Sequence, residues 1–569
     1  MGDAAQQETP VPAIALRPPS QVMRLARMGS FFPTRLSFMP TLLREMARDE
    51  WRVTRPVCAL DREGYGHVVY AVDTGSRIYS LVAFSHQLDP ADRTDRVIAE
   101  AWDATFVLFD GMPDDADIDR LSRNAPKQEA GRFHPSELVL SRANRSVRIF
   151  EHVVDRLASG RQPDRKLLIE IGYLMRTTAV YGNGKFGIAD RAKIEGRPEL
   201  TGPFRAEMLT VYLIRCFTVD LVEHIARQRA PDAAVRLATD LKQHLGIGNA
   251  TGLGMAPFLV SHPALINNWM AAREAGLAAI RSLTVVDPEK LAAFRRVFGR
   301  ACRHAGEWVV DDARQAGRIA VLRRELATLQ CWIETETGWL DDPHPWDALF
   351  RRAEAAFSLE GQEFLVALLL QPHGDLVDGL TDCMVAPASE RLDPTMAVAD
   401  LQILLQDHYG WVFEIDFGRP QEQRQFWYVS EEKAEPRLGD RYAEDGAEKE
   451  MPLAVARDVQ ALNNTLADAA PDQSVAAFVL KHPDYRHIIR RVQTVARHPY
   501  GEIRDNLIGE DCLPIDLLRC KLSFFGASKF DPKSDRWTRI TLFQGAPFPE
   551  DLTLEAAEDW CFPALGEEA

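Results

Sequence analysis

Leu245–His262 reads LGIGNATGLGMAPFLVSH, and no other segment packs so much special backbone chemistry into so few residues. Four glycines, Gly246, Gly248, Gly252 and Gly254, stand with Asn249, Thr251 and Pro257 between two stretches of helical periodicity. Gly246 suits a helix stop. The other three exceed what a cap needs and let a backbone approach a ligand closely. Asn249 and Thr251 supply hydrogen bonds to orient that ligand. A helix starting at Pro257 or Pro263 would turn its N-terminus toward an anion.

Upstream, Tyr181–Gly187 reads YGNGKFG. Gly182, Gly184 and Gly187 make a G-x-G-x-x-G, which in a dinucleotide-binding unit follows a strand and opens a helix. Here the preceding DRKLLIEIGYLMRTTAV has a helical pattern, and the following IADRAKIEGRPEL is a poor helix. The structural reading is a helix cap with a tight turn. The functional one is a backbone nest beside Lys185, suited to a carboxylate or phosphate. Both loops flank one helix pair, 204–227 and 232–245, and an antiparallel pair places them at one end. Tyr181, Lys185 and Glu207 are the proton-transfer candidates. Arg176, Gly182, Gly184, Gly248, Asn249, Thr251 and Gly252 are the substrate-binding candidates, with Arg176 suited to a bidentate contact.

Around these loops, residues 135–375 carry apolar side chains at three- and four-residue steps and read as a helical body. Between Trp51 and Gly111, VTRPVCAL, HVVYAVD, RIYSLVAFS and ATFVLFDG read as strands of a small antiparallel sheet, with His86 a strand-end polar residue. Past Met396, a helix leads to WVFEIDFG and RQFWYVSEE, read as a strand pair. Two more helices follow, then a last β signal in DLLRCKLSFFGASKF and RWTRITLFQG. The fold class expected is α+β, a mainly helical central body with small antiparallel β-sheets near the N- and C-terminal regions. The expected divisions are a disordered or loosely docked tail (1–30), a β region (31–125), the helical body with both glycine-rich loops (126–390) and a C-terminal α+β region (391–569).

The 569 residues are 46% hydrophobic and 26% charged, an ordinary globular composition, with a net charge of −16. So acidic a chain repels nucleic acid unless it carries a local basic patch, and no long Lys/Arg run supplies one. No apolar run reaches the roughly 18–20 residues of a membrane helix. The eight cysteines form no C-x-x-C and read as reduced thiols, so the expected location is cytoplasmic and no membrane partner is expected.

Asp220, Glu223 and His224 share a helical face, but no H-E-x-x-H and no second Glu-x-x-His accompany them; they read as a salt-bridged face, and no metal is expected. No G-x-S-x-G elbow is present. Glu431, Glu432, Lys433 and Arg437 follow an aromatic strand end. Arg519 and Lys521, with Lys529, Lys533 and Arg536 around the next turn, form the strongest local basic patch. The sequence does not tell whether this C-terminal polar cluster reaches the glycine loops.

The functional expectation is a cytosolic metabolic enzyme doing metal-independent acid–base chemistry, of lyase, hydrolase or isomerase type, on a small anionic carboxylated or phosphorylated substrate. No cofactor is expected. The alternatives are an NAD(P)-dependent oxidoreductase and a non-enzymatic helical assembly protein. Homo-oligomerisation stays open.

Overall fold

The computed structural model describes residues 14–93, 101–125, 134–179, 194, 196–202, 204–252, 263–384, 391–419, 427–430, 436–438, 450–452, 455–504, 514–533 and 537–566, with backbone alone at 250–252, 427–430, 436–438, 450–452, 514, 517 and 521. Seven strands come early: β1 (Arg52–Leu60), β2 (Gly66–Asp73), β3 (Ile78–Ser85), β4 (Ala104–Asp110), β5 (Glu137–Arg145), β6 (Tyr173–Thr177) and β7 (Gly246–Gly252). Three short ones, β8 (Trp427–Ser430), β9 (Pro436–Leu438) and β10 (Glu450–Pro452), pair among themselves. A final hairpin holds β11 (Lys529–Pro532) and β12 (Trp537–Leu542). Nine of these strands form one sheet in the order β1-β2-β3-β4-β5-β6-β7-β12-β11. Neighbours are antiparallel except β6 and β7, which are parallel.

This corrects the expected small sheets near both ends of a helical body. One nine-stranded mixed sheet carries the N-terminal half, and the last hairpin adds to its edge. The physical reasons are local. DRKLLIEIGYLMRT looks like one helix, but Gly172 takes a left-handed conformation (φ 76°) and caps the helix Arg165–Ile171, so the chain turns there into β6. SELVLSRANRSVRIF is β5 followed by the helix Phe150–Ala158. β7 reads GIGNATG and has almost no strand propensity of its own. Its ladders to β6 and β12 on either side hold it. DLLRCKLSFF, read as a strand, lies in the helix Pro514–Phe525, and WVFEIDFG begins in a short 3-10 turn at Gly410–Val412.

The helix Arg205–Arg229 crosses from β6 to β7 and lies on one sheet face, where Phe217 meets Phe106 edge-on at 5.5 Å. Burying one such ring contributes about 1.5–3 kcal/mol. The same helix buries Arg215. Its guanidinium donates to the carbonyls of Leu245 (2.7 Å), Gln243 (2.9 Å) and Ala546 (2.8 Å), pinning the chain just before β7 to the chain just after β12. On the opposite face, the helix Asp115–Asn124 starts in a capping box at Asp114 and covers Val69, Val82, Val107 and Leu140 with Leu121 and Ile118.

Helices Pro263–Arg281, Pro288–Glu307, Ala313–Glu334, Pro345–Ala356 and Leu359–Leu370 share the main core with the sheet. Arg17 inserts into this body, paired with Glu274 (2.7 Å) and Glu363 (2.9 Å). Helices Val398–Tyr409, Val455–Leu466, Val475–Lys481 and Arg486–Arg497 enclose a second apolar cluster. No helix among the described residues is long and apolar enough to cross a membrane.

Candidate functional site: a cationic row across the sheet

The parallel pair decides where the glycine-rich segments begin. Parallel neighbours end on the same side of a sheet, so the chain leaves β6 toward Tyr181 and extends β7 toward Gly254 from one sheet end. Carboxyl ends of parallel strands are where open α/β sheets take their ligands. β6 and β7 therefore end on one side of the sheet through strand pairing rather than a helix pair.

Register then aligns side chains. Lys529 stands opposite Thr541, Thr541 opposite Gly248, Gly248 opposite Arg176, and Arg176 opposite Asn144. This is one row over β11, β12, β7, β6 and β5, on the face away from the crossover helix. One pleat further along, Asp531 stands opposite Arg539, and Arg539 opposite Ala250. Arg142, two residues before Asn144, belongs to the same face. Its guanidinium lies over the Trp102 ring at 5.3 Å, and burial lowers its pKa to about 10. Four cationic side chains thus share a sheet face where Leu140 and Val107, under the helix Asp115–Asn124, are apolar.

Gly248 sits at the centre for a steric reason. A Cβ there would come within 2.7 Å of both the Arg176 Cγ and the Tyr173 ring, so the missing side chain is what lets both lie across β7. Tyr173 is buried, and its hydroxyl has no hydrogen-bond partner among the described residues. The same holds for Thr541 Oγ1, Arg539 Nε and Asp531 Oδ1. Asp531 Oδ2 pairs with Lys533 at 2.8 Å, and Lys533 also reaches Asp311 at 2.5 Å. Lys529 donates to the Glu170 carbonyl, and burial lowers its pKa, against the pull of Asp531. These four atoms lie on strands around Gly248.

The residues expected from sequence fall in different places. Arg176 is buried in the row. Gly248 is its partner. Asn249 lies on the opposite face, where its amide donates to the Thr177 carbonyl at 2.7 Å and ties β6 to β7. Glu207 is buried in the first turn of the crossover helix, also on that opposite side. Thr251 and Gly252 continue β7 opposite Thr538 and Trp537. Tyr181, Gly182, Gly184 and Lys185 lie outside the described residues, as do Glu431, Glu432 and Lys433. Arg437 is in the separate small sheet, opposite Tyr428. Arg519 pairs in the core with Glu360, on the helix that also carries Lys521.

Sequence reading missed Tyr173, Arg142, Arg539, Thr541 and Asp531. A signal for three of them was present. Trp537–Leu542 alternates Arg539 and Thr541 with Ile540 and Leu542, and β5 alternates Arg142 and Asn144 with Ser141 and Ala143. A strand in the middle of a sheet with one polar face points to a ligand there.

Two cavities are present besides this row, the first touching it at Lys529. One of about 40 Å³ is lined by Phe32, Trp308, Phe530 and Phe562 and has room for a water or two. An open cleft of about 860 Å³ at the other sheet end is lined by Arg62, Tyr65, Arg93, Arg145 and Arg229. Several of its arginines have carboxylate neighbours of their own: Arg93 and Arg145 face Asp103, and Arg229 pairs with Glu151 and Asp155. Among the described residues, no three His, Cys, Asp or Glu side chains gather to hold a metal ion. Asp220 accepts from Tyr70 and pairs with Arg55, Glu223 accepts from Leu237, and His224 contacts the Asp61 carbonyl.

Comparison with protein-family models, curated proteins and solved structures found no match. Function is therefore argued from the chemistry of this face.

Proposed function

We propose that the protein is an enzyme that binds a small anionic substrate, carboxylated or phosphorylated, over the β5–β6–β7–β12–β11 face and transforms it by acid–base chemistry. One observation carries the reading: Arg142, Arg176, Arg539 and Lys529 share one sheet face around Gly248. Guanidinium groups there provide forked donors for carboxylate or phosphate. Proton transfer is assigned to Lys529, whose ammonium burial makes easier to neutralise, and to Tyr181 and Lys185 on the segment that leaves β6. A thermal-shift screen against small acids and phosphates tests it. A ligand at a hundred times its Kd stabilises by about 2.7 kcal/mol. Arg539→Met should remove that shift.

The alternative, a nicotinamide-dependent oxidoreductase, draws on a different observation. The G-x-G-x-x-G of Gly182–Gly187 follows strand β6, and the crossover helix then leads to the parallel β7. Quenching of NADH or NADPH fluorescence on mixing would favour it.

A further inference from the structure

We infer that the substrate of this site carries a hydrogen-bond donor, a hydroxyl or an ammonium, beside its anionic group. The inference rests on the anion reading above and narrows it to hydroxy acids, amino acids or hydroxylated phosphate esters.

The argument comes from the orphaned atoms. Arg539 Nε can only donate, so it calls for an acceptor. The Tyr173 and Thr541 hydroxyls are buried and, like Arg539, belong to the strands around Gly248. Either hydroxyl can donate to an anionic oxygen. Asp531 differs in kind. It is 7% exposed, and an ionised carboxylate only accepts. Lys533 covers its Oδ2, and Oδ1 has no partner among the described residues. Asp531 also stands directly opposite Arg539 on the same face, yet the two form no ion pair. The site therefore presents donors on β6 and β12 and one acceptor on β11, which lies one strand spacing, roughly 5 Å, from β12 and three from β6. A plain carboxylate would satisfy the donors and place its negative charge beside Asp531. A ligand with its own donor satisfies both sides. Sites built to hydrogen-bond a hydroxyl or an amine reject analogues that lack it, because the buried partner is then left unpaired.

The test is isothermal titration of the full chain with matched ligands that differ only in the donor. Propionate, lactate and alanine form one series; propyl phosphate and glycerol 3-phosphate form the other. The expected result is that, in at least one series, the donor-bearing member binds about tenfold or more tighter than its plain analogue. Asp531→Leu should shrink that preference, because it removes both the acceptor and the negative charge that stands beside the plain anion. Arg539→Met should weaken all members alike. Equal affinities within both series overturn the inference, as does a preference that survives Asp531→Leu in protein with unchanged thermal stability. In either case, anion binding lost in Arg539→Met leaves the anion reading standing. No binding of any member to the wild type overturns both. The wild-type series decides the matter even if Asp531→Leu fails to fold.

Discussion

Arg176 stands opposite Gly248 across the parallel pair of the sheet, and the space a Cβ would fill at Gly248 is taken by the Arg176 stem and the Tyr173 ring. The site's geometry depends on that missing side chain. Gly248→Ala should displace both residues. Overpacking of this kind costs about 1–3 kcal/mol. The expected outcome is a modest loss of thermal stability and a tenfold or greater loss of anion affinity, on the order of 1.4 kcal/mol per decade. Unchanged affinity would show that Arg176 does not touch the ligand.

Arg215 places the strands on which the site is built. It donates to three carbonyls that bracket β7 and β12 and lies over the Phe548 ring at 3.9 Å; burial lowers its pKa to about 10. Arg215→Met keeps much of the volume and removes the donor from the Leu245 and Ala546 carbonyls, each at about 1–3 kcal/mol, while the Gln243 carbonyl keeps the Gly545 amide. Urea unfolding should show a loss of about 3 kcal/mol or more. A loss under 1 kcal/mol would mean that the carbonyls find water.

How much of this was legible in the sequence follows from the physics of each element. β2, β3 and β4 are continuous β-branched and aromatic runs, and their pattern is visible without context. β6 was hidden because a single left-handed Gly172 divides what otherwise looks like one helix. β7 was hidden because Gly248 makes room for the Arg176 and Tyr173 side chains that cross it, and a glycine-rich segment carries little strand signal. Of the candidates read from the glycine-rich segments, Arg176 and Gly248 lie in the row. Asn249 misled: adjacent strand residues face opposite ways, and its hydrogen-bonding capacity ties β6 to β7 behind the face. Arg539 and Thr541 needed the register between β7 and a hairpin nearly three hundred residues later, which periodicity cannot supply.

Three buried histidines, His244, His304 and His373, whose pKa burial lowers, should make the fold sensitive to mild acid. Burial, with smaller contributions from nearby cations, pushes His244 down to about 3. Burial pushes His304 to about 4, despite its hydrogen bond to the Pro563 carbonyl. Both stay neutral when folded and titrate near about 6.5 when unfolded. Below that pH the unfolded chain binds protons that the folded chain does not, so stability is full above about pH 6.5 and falls as pH drops. The slope is about 1.4 kcal/mol per pH unit for each histidine. Urea unfolding between about pH 7 and pH 5 should show this decline, and His304→Gln should flatten it by about 1.4 kcal/mol per pH unit. An unaltered slope in the variant would assign the decline to other groups.

Arg17 should act as a buried clamp for the segment that precedes the sheet. Burial alone would raise the pKa of Glu363, but Arg17, Arg273 and Arg27 together hold it well below the usual carboxylate range. Arg17 also closes on Glu274 through two hydrogen bonds, of 2.8 and 2.7 Å. Arg17→Met removes one guanidinium from two fully buried carboxylates, a change that costs about 3–5 kcal/mol. Chemical denaturation measures it. A loss below 1 kcal/mol would show that the remaining arginines suffice.

The most direct test of the anion site is a crystal structure of the protein soaked with the small acid or phosphate that gives the largest thermal shift. The prediction is an anion over β6, β7 and β12, with oxygens within hydrogen-bond distance of the Arg539 guanidinium and of the Tyr173 or Thr541 hydroxyl. An anion found instead among Arg62, Arg93 and Arg145 at the other end of the sheet, with the Gly248 face empty, would contradict it.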